Sequence, residues 1–286
     1  MKALITIIGP TASGKTRLAV QLAEKRNAEI ISADSRQVYK NMDIGTGKDL
    51  DEYKNIPYHL IDICNAGYQY NLYQYIRDFH TVYNNDKSLI LCGGTGLYVQ
   101  AVLQGYSLTN IPENDLLRKK LKNKNTIELQ QILGDTDESS KKRLLRAIEK
   151  KKHIQAGLDY TETNYPAIQS VVIGINIPTD LRRKKISQRL IFRLENGMVE
   201  EVERLLNQGI SHEQLYWYGL EYKFLSLYLQ KVISYDEMFK QLETSIHQFA
   251  KRQMTYFRKM EKDGIKIYWV DYKNPLDESL RIINNH

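Results

Sequence analysis

Short apolar runs alternate with amphipathic and polar stretches along most of the chain. Runs of strand length occupy residues 3–8, 29–33, 58–61, 88–92, 171–175 and 265–270. Buried strands separated by helical patterns are typical of a parallel sheet covered by helices on both faces. The pattern therefore predicts an α/β fold of three layers with a central parallel sheet.

One long polar stretch interrupts the strand signals between the fourth and fifth runs. It covers residues 110–160 and concentrates positive charge in Arg118-Lys119-Lys120, Lys122, Lys124, Lys141-Lys142-Arg143, Arg146 and Lys150-Lys151-Lys152. A solvated helix face explains any one of these clusters equally well, but several in one insertion favour contact with a phosphate backbone. We predict a first core segment at 1–109, an inserted helical lid at 110–160 and a segment at 161–286 that completes the core.

Two helices are predicted after the lid. Thr179-Asp180 can cap a helix that runs from Leu181 to Glu195, before Gly197 ends it. Its apolar positions recur every four residues at Ile186, Leu190 and Leu194, beside a cationic stripe of Arg182, Lys185, Arg189 and Arg193. Ser234 and Glu237 form a capping box for a second helix that extends to about Lys262.

A phosphate-binding loop follows the first strand. The pattern G-x-x-x-x-G-K-[ST] is matched by Gly9, Pro10, Thr11, Ala12, Ser13, Gly14, Lys15 and Thr16. Glycines let successive N–H groups curl around an anion, and the helix that follows adds the positive end of its dipole. The motif predicts that Lys15 neutralises phosphate charge and that the Thr16 hydroxyl binds Mg²⁺.

An acidic residue, Asp34, follows the second strand. Because the carboxyl ends of parallel strands share one edge, Asp34 should lie near the phosphate loop. Asp34 could be an outer-sphere ligand of Mg²⁺, a general base for a bound nucleophile, or the N-cap of a helix. The strand at 88–92 runs into Gly93-Gly94-Thr95, where a nucleotide hydrolase would more usually place an acid, so simple nucleotide hydrolysis is disfavoured.

Several ordered blocks resemble one family, the tRNA dimethylallyltransferases or tRNA isopentenyltransferases, of the bacterial type. They are Gly9 to Thr16, Asp34 to Tyr39 with Met42 to Lys48, His59 to Asp62, Gly93 to Tyr98, Arg189 to Val202 and Ala250 to Arg258. The phosphate loop alone is shared by many enzymes, whereas the ordered set is much more specific. The resemblance implies a P-loop kinase-like fold and an enzyme that prenylates tRNA.

The resemblance also implies a reaction and its participants. A dimethylallyl group would pass from dimethylallyl diphosphate to N6 of adenosine 37, beside the tRNA anticodon. Asp34 would be the general base, and Arg189 would join Lys15 and Mg²⁺ on Thr16 in stabilising the departing diphosphate. Ser35, Arg36 and Gln37 would hold the extruded adenine.

Further tRNA contacts are expected from three places. They comprise Thr95, the lid residues Arg118, Lys142, Arg143, Leu144, Leu145 and Arg146, and the aromatic loop residues Tyr218, Gly219 and Tyr222. Aromatic side chains can stack on bases of single-stranded loops, although core packing explains such residues equally well. The sequence differs from the usual family pattern at 134–140 and at Leu220-Glu221. We expect these differences to affect the selectivity for tRNA more than the chemistry.

Composition agrees with a nucleic-acid partner. The chain has 286 residues and a formal net charge of +7, which suits a polyanion. Its two cysteines, Cys64 and Cys92, have no metal-site spacing, so we expect free thiols, no structural zinc and a cytoplasmic protein. No run reaches membrane-spanning length. We expect no membrane association and no obligate protein partner.

Three other functions fit part of the sequence. A P-loop small-molecule kinase would explain Gly9 to Thr16 but not the basic lid. A prenyltransferase that acts on free adenine nucleotides would share Asp34 but would need no RNA clamp. An RNA-binding module without activity would explain the lid but not the phosphate loop with its adjacent acid.

Overall fold

The computed structural model describes residues 4–83, 87–134 and 136–286. Ala3, where the first predicted strand begins, and Asp135, in the polar lid segment, lie outside the described residues. In chain order the strands are β1 (Leu4–Ile8), β2 (Glu29–Ser32), β3 (Tyr58–His59), β4 (Leu89–Gly93), β5 (Ser107–Thr109), β6 (Glu162–Asn164), β7 (Ser170–Asn176) and β8 (Ile267–Asp271).

The helices account for most of the remaining chain. They are α1 (Lys15–Arg26), α2 (Leu72–Tyr83), α3 (Gly96–Gln104), α4 (Asp115–Leu121), α5 (Thr126–Leu133), α6 (Lys141–Gln155), α7 (Thr179–Glu195), α8 (Met198–Asn207), α9 (His212–Tyr218), α10 (Leu220–Leu229), α11 (Tyr235–Lys262) and α12 (Pro275–Asn284). No helix in the described ranges is both long enough and apolar enough to cross a membrane.

A six-stranded parallel sheet lies at the centre of the fold, in the order β3-β2-β4-β1-β7-β8. β1 and β4 are buried along their whole length, as expected for strands covered by helices on both faces. The predicted α/β fold with a central parallel sheet is confirmed. Ile8 pairs with Gly93, and Ser32 pairs with Cys92, so the loops that follow β1, β2 and β4 leave the sheet at the same edge.

An apolar core apart from the one around the sheet joins the helices that follow β7. Ile186, Leu190 and Leu194 of α7 are buried in it, which confirms the predicted apolar stripe. Ser234 caps α11 in a complete capping box with Glu237, also as predicted. The start of α7 differs from the prediction, because Pro178 is its N-cap and Thr179 lies in the first turn.

The chain divides into two compact units, residues 1–105 with 166–286, and residues 106–165. The smaller unit contains α4, α5 and α6 around a core of Leu121, Leu129, Leu144 and Ile148. Its boundaries lie outside 110–160 because β5 and β6, which pair as an antiparallel ladder, belong to it. Both strands are short and mostly polar, so the apolar pattern did not reveal them.

Candidate active site

The phosphate loop connects β1 to α1 and depends on two glycines and a strained turn. Ala12 and Gly14 have left-handed φ values of 62° and 86°. A Cβ on Gly9 would lie 2.5 Å from the Ser13 hydroxyl oxygen, so glycine permits this close approach. The backbone therefore forms the compact curl that the motif predicts.

Three polar side chains, those of Ser13, Lys15 and Thr16, have no hydrogen-bond partner among the described residues. The Ser13 hydroxyl is buried and makes no hydrogen bond there. Lys15 and Thr16, half-buried at the start of α1, form no side-chain hydrogen bond or ion pair with any described residue. Burial lowers the pKa of the Lys15 ammonium, and the nearby Asp34 carboxylate opposes this shift. Donors left unpaired around a glycine loop are what an anion would bind.

Arg189 lies at the same loop. Its guanidinium donates a hydrogen bond to the Thr11 hydroxyl. Burial lowers the pKa of Arg189 to about 10, with Arg193 adding to the effect and Asp49 opposing it. Arg189 is therefore still charged at neutral pH. The structure brings this residue to the phosphate loop from a position 178 residues further along the chain.

Asp34 lies on the loop after β2, held by contacts with the loop after β4. The Ser35 N–H donates to the Thr95 hydroxyl oxygen at 3.1 Å, and the Thr95 N–H donates to the Ala33 carbonyl at 3.1 Å. A side chain on Gly93 would collide with that carbonyl, so glycine is required there. Asp34 and Lys15 are near enough for the carboxylate to affect the lysine's pKa.

The Asp34 side chain is half-buried, and one of its oxygens bonds the backbone of its own loop. Asp34 Oδ1 accepts the Arg36 N–H at 2.9 Å, two residues on, in a local turn. No helix starts in this segment, so the structure does not support the helix-cap alternative. Asp34 Oδ2 makes no hydrogen bond within the described residues.

Gln37 differs from the other residues of this loop. Its side chain is only 9% exposed. Its amide accepts from the Ser32 hydroxyl at 2.9 Å and donates to the Gly47 carbonyl at 3.0 Å. The predicted contact of Gln37 with adenine is therefore not supported, because the amide is already used inside the protein. Arg36 is exposed, and Ser35 and Thr95 are half-buried.

The predicted aromatic loop also makes its contacts within the protein. Tyr222 is fully buried and donates its hydroxyl hydrogen to Glu201 at 2.8 Å. Tyr218 is 5% exposed, packs edge-on against Tyr39 and accepts the Gly67 N–H. The predicted base stacking by Tyr218 and Tyr222 is therefore not supported. Gly219, with φ 147°, separates α9 from α10.

The basic residues of the smaller unit fall into two groups. Arg118 and Arg146 both donate to the carboxylate of Glu149, which is 3% exposed. Burial raises the pKa of Glu149, but hydrogen bonds from Arg118 and the Asn114 N–H outweigh it and lower the pKa. Arg118 and Arg146 are thus engaged inside the unit, and their contact with tRNA stays a prediction.

The second group is exposed. Lys142 and Arg143 lie on the outer face of α6, where Arg143 makes only a 3.3 Å ion pair with Glu138. Leu144 is fully buried and Leu145 is half-buried in the core of this unit. Of the predicted lid contacts, Lys142 and Arg143 are therefore available to a phosphate backbone.

Three residues that received no role in the sequence analysis hold the loops of the site. Glu201 accepts the N–H groups of Asp43, Ile44 and Gly45. Lys48 is fully buried between Asp43 and Asp62. Gln253 bonds the phosphate loop and the loop after β4. Glu201 and Gln253 are polar positions on otherwise apolar helix faces, and that pattern could have identified them.

A phosphate-binding loop at the end of β1, with a basic side chain and an acid at the same sheet edge, defines a P-loop enzyme. A family model described as IPP transferase matches residues 37–260, and one described as isopentenyl transferase matches residues 2–55. The chain belongs to the tRNA dimethylallyltransferase (IPP transferase) family, as the resemblance predicted.

Relatives match over nearly their whole length. The chain is 53% identical to tRNA dimethylallyltransferase 1 of Azobacteroides pseudotrichonymphae, with 94% of this chain and 92% of the relative covered. It is 51% identical to tRNA dimethylallyltransferase 2 of Bacteroides fragilis, with coverage of 98% and 96%. These names support an enzyme of the prenyltransferase class.

Solved structures share the fold. A tRNA isopentenylpyrophosphate transferase of Staphylococcus epidermidis matches with a TM-score of 0.72 and 31% identity, covering 100% of this chain and 99% of that one. A eukaryotic dimethylallyltransferase that acts on tRNA matches with a TM-score of 0.74 and 21% identity, covering 100% and 79%. The predicted P-loop fold is confirmed.

Proposed function

We propose that this chain transfers a dimethylallyl group from dimethylallyl diphosphate to N6 of adenosine 37 in the anticodon loop of tRNA. The observation that carries the proposal is the position of Asp34 on the loop after β2, at the sheet edge where the phosphate loop leaves β1. It puts a proton acceptor beside an anion site, and the curated relatives carry the corresponding name. Two free cysteines suit a cytoplasmic location, where tRNA is found.

The phosphate loop is proposed to bind the diphosphate. The unpartnered Ser13 hydroxyl and the unpaired Lys15 ammonium fit an anion at this position. Mg²⁺ fits as well, because the Thr16 hydroxyl has no partner among the described residues and Mg²⁺ commonly takes few protein ligands beside substrate phosphates. When bound, the ion would supply positive charge to the diphosphate oxygens.

Arg189 is proposed to stabilise the leaving group. The C–O bond between the allylic carbon and the diphosphate breaks while the C–N bond forms, so negative charge grows on the departing oxygen. Arg189 donates to Thr11 of the loop and keeps its charge at neutral pH, which supports a role for it in stabilising this negative charge. Stabilising charge that appears only in the transition state accelerates the chemical step.

Asp34 is proposed as the general base. As the N6 nitrogen attacks the allylic carbon, one N6 proton must leave. Asp34 Oδ1 is occupied by the Arg36 N–H, whereas Oδ2 has no partner in the described residues and can accept that proton. The Arg36 hydrogen bond would also fix the orientation of the carboxylate.

Recognition of tRNA is proposed for two sets of residues. Ser35, Arg36 and Thr95 surround Asp34 and would contact the extruded adenosine. Lys142 and Arg143 offer exposed charges to the phosphate backbone. The other predicted contacts, buried or bonded within the protein, would act by shaping these surfaces.

The substrate can be tested with three acceptors. Nucleosides would be analysed by mass spectrometry after incubation with dimethylallyl diphosphate, Mg²⁺ and either an anticodon stem-loop, AMP or the same stem-loop with its adenosine in a closed duplex. We expect prenylation of the open stem-loop only, because extrusion from a duplex costs a few kcal/mol. Efficient prenylation of AMP would instead support a prenyltransferase of free nucleotides. Phosphorylation of a small molecule by ATP would support a kinase.

A further inference from the structure

Gln253 connects two loops of the site although it lies far away in sequence. It occupies the buried face of α11 between Ala250 and Phe257, and it is 7% exposed. Its Oε1 accepts the Thr11 N–H at 2.8 Å, and its Nε2 donates to the Gly94 carbonyl at 2.9 Å. One planar amide therefore bonds the phosphate loop and the loop after β4 at the same time.

The bond to Thr11 involves a group that phosphate loops commonly offer to their ligands. Backbone N–H groups of such a loop usually point at the phosphates. Here the Thr11 N–H is bonded to Gln253, while the Thr11 hydroxyl accepts from Arg189. Thr11 is thus held from two sides by protein groups.

The bond to Gly94 reaches the other half of the site. A side chain on Gly94 would collide with the Gln253 amide, and its Cβ would lie 3.7 Å from Cε of Lys15. Gly94 is followed by Thr95, whose hydroxyl accepts the Ser35 N–H beside Asp34. A continuous series of contacts therefore runs from the phosphate loop through Gln253 to the loop that carries Asp34.

We propose that Gln253 is a positioning residue that aligns the phosphate loop with the loop after β4. This inference rests on the proposed diphosphate site. Without the amide, the part-buried Thr11 N–H and the buried Gly94 carbonyl lose their partner, and both loops can relax. The loop then has to be reordered when the diphosphate binds, so affinity falls. The geometry needs a donor and an acceptor on one side chain, and the Gln253 amide supplies both.

The chain offers a matched control for this residue. Gln248 lies on the same helix but is exposed, and it makes no side-chain hydrogen bond within the described residues. Binding of inorganic diphosphate with Mg²⁺ would be measured by calorimetry for wild type, Gln253→Met, Gln253→Glu, Gln248→Met and Gln248→Glu. Thermal unfolding of each protein would report how far folding itself is affected.

We expect Gln253→Met to weaken diphosphate binding by about tenfold or more, the scale of removing a buried hydrogen-bond partner. Gln253→Glu keeps an acceptor for Thr11 but cannot donate to Gly94 when ionised, and its charge repels the anion, so the loss of affinity should be larger. Both Gln248 variants should bind within about twofold of wild type. In steady-state transfer, Gln253→Met should raise KM for the prenyl diphosphate and also lower kcat, because alignment of Asp34 depends on the same contacts.

A purely structural role would give a different result. Gln253→Met would then lower Tm while the folded protein bound diphosphate within about twofold of wild type, and this outcome would overturn the proposal. Should Gln253→Met fail to fold, equal diphosphate affinity of Gln253→Glu and wild type would overturn it as well. Failure of wild type and of the Gln248 variants to bind diphosphate would reject the diphosphate site itself, a result distinct from the first two.

Discussion

The phosphate-loop edge of the sheet and the helical unit at 106–165 both contain basic side chains, and particular cations in the two regions differ in whether they are paired within the protein. At the sheet edge, Lys15 has neither a hydrogen bond nor an ion pair with a described residue. In the helical unit, Arg118 and Arg146 converge on the buried carboxylate of Glu149. Lys15 is thus unpaired within the described structure, whereas the two arginines pair with a carboxylate of their own unit.

The comparison shows that positive charge does not by itself identify a binding residue. A buried carboxylate such as Glu149 must be paired, since an unpaired charge in the interior is costly. Lys15 is kept unpaired even though burial lowers its pKa, and an unpaired group in such a position is typical of a functional site. The partners of a cation, more than its presence, decide its role.

The largest effect is expected from removing the unpaired cation of the sheet edge. Lys15→Ala should lower the single-turnover transfer rate by roughly 10²- to 10³-fold at saturating prenyl diphosphate, because charge on the leaving group is no longer stabilised. Lys25→Ala, at an exposed position of the same helix, is the control and should leave the rate unchanged. If Lys15→Ala instead reached the wild-type rate at saturating prenyl diphosphate, Lys15 would contribute only to binding of the substrate in its ground state.

Asp34→Asn should reduce turnover by roughly a hundredfold or more, the scale for losing a general base. Its affinity for an anticodon stem-loop should stay close to that of wild type, because the shape of the loop is kept. Single-turnover kinetics and a binding titration measure the two effects separately. Asp236→Asn, an exposed acid at the start of α11, serves as the control. A rate within a few-fold of wild type would remove Asp34 from the mechanism.

In the helical unit, Arg118→Met should act on stability. It leaves the Glu149 carboxylate with Arg146 as its remaining arginine partner, and the expected cost is about 2 kcal/mol, below that of a fully buried pair because the Arg118 side chain is 28% exposed. Faster hydrogen exchange in α4 and α6 would report this destabilisation. Arg143→Met, at an exposed position, should leave exchange unchanged. Equal exchange in both variants would show that the ion pair of Arg118 with Glu149 does not stabilise this unit.

The smallest effect is expected from the exposed cations of α6. The double variant Lys142→Ala and Arg143→Ala should weaken tRNA binding and lower the slope of log affinity against log salt by about 0.7 to 0.9 for each phosphate that the protein no longer neutralises. Binding of diphosphate should be unaffected. Lys273→Ala, also exposed, should keep the wild-type slope. If the double variant keeps that slope too, α6 makes no phosphate contact through these residues.

Most of the sheet could be predicted because strands of a buried parallel sheet are apolar throughout. The β5 and β6 ladder could not, since Ser107–Thr109 and Glu162–Asn164 are short and mostly polar. The nearness of Asp34 to the phosphate loop followed from the topology alone. The burial of Tyr218 and Tyr222 did not, because an aromatic residue suits a core as well as a stacking surface.

The sequence by itself determined the phosphate loop and the strands beside it, because glycine conformation and apolar runs act over a few neighbouring residues. Only the tertiary structure decided which polar groups stay available. Arg118 meets Glu149 across 31 residues, and Gln253 meets Thr11 across 242 residues. Such partners come together only when the chain has folded, and the cost of burying an unpaired charge or donor then decides which side chains are used within the protein. Lys15 and Thr16 remain without such a partner in the described structure, at the edge of the sheet where the local motif had placed them.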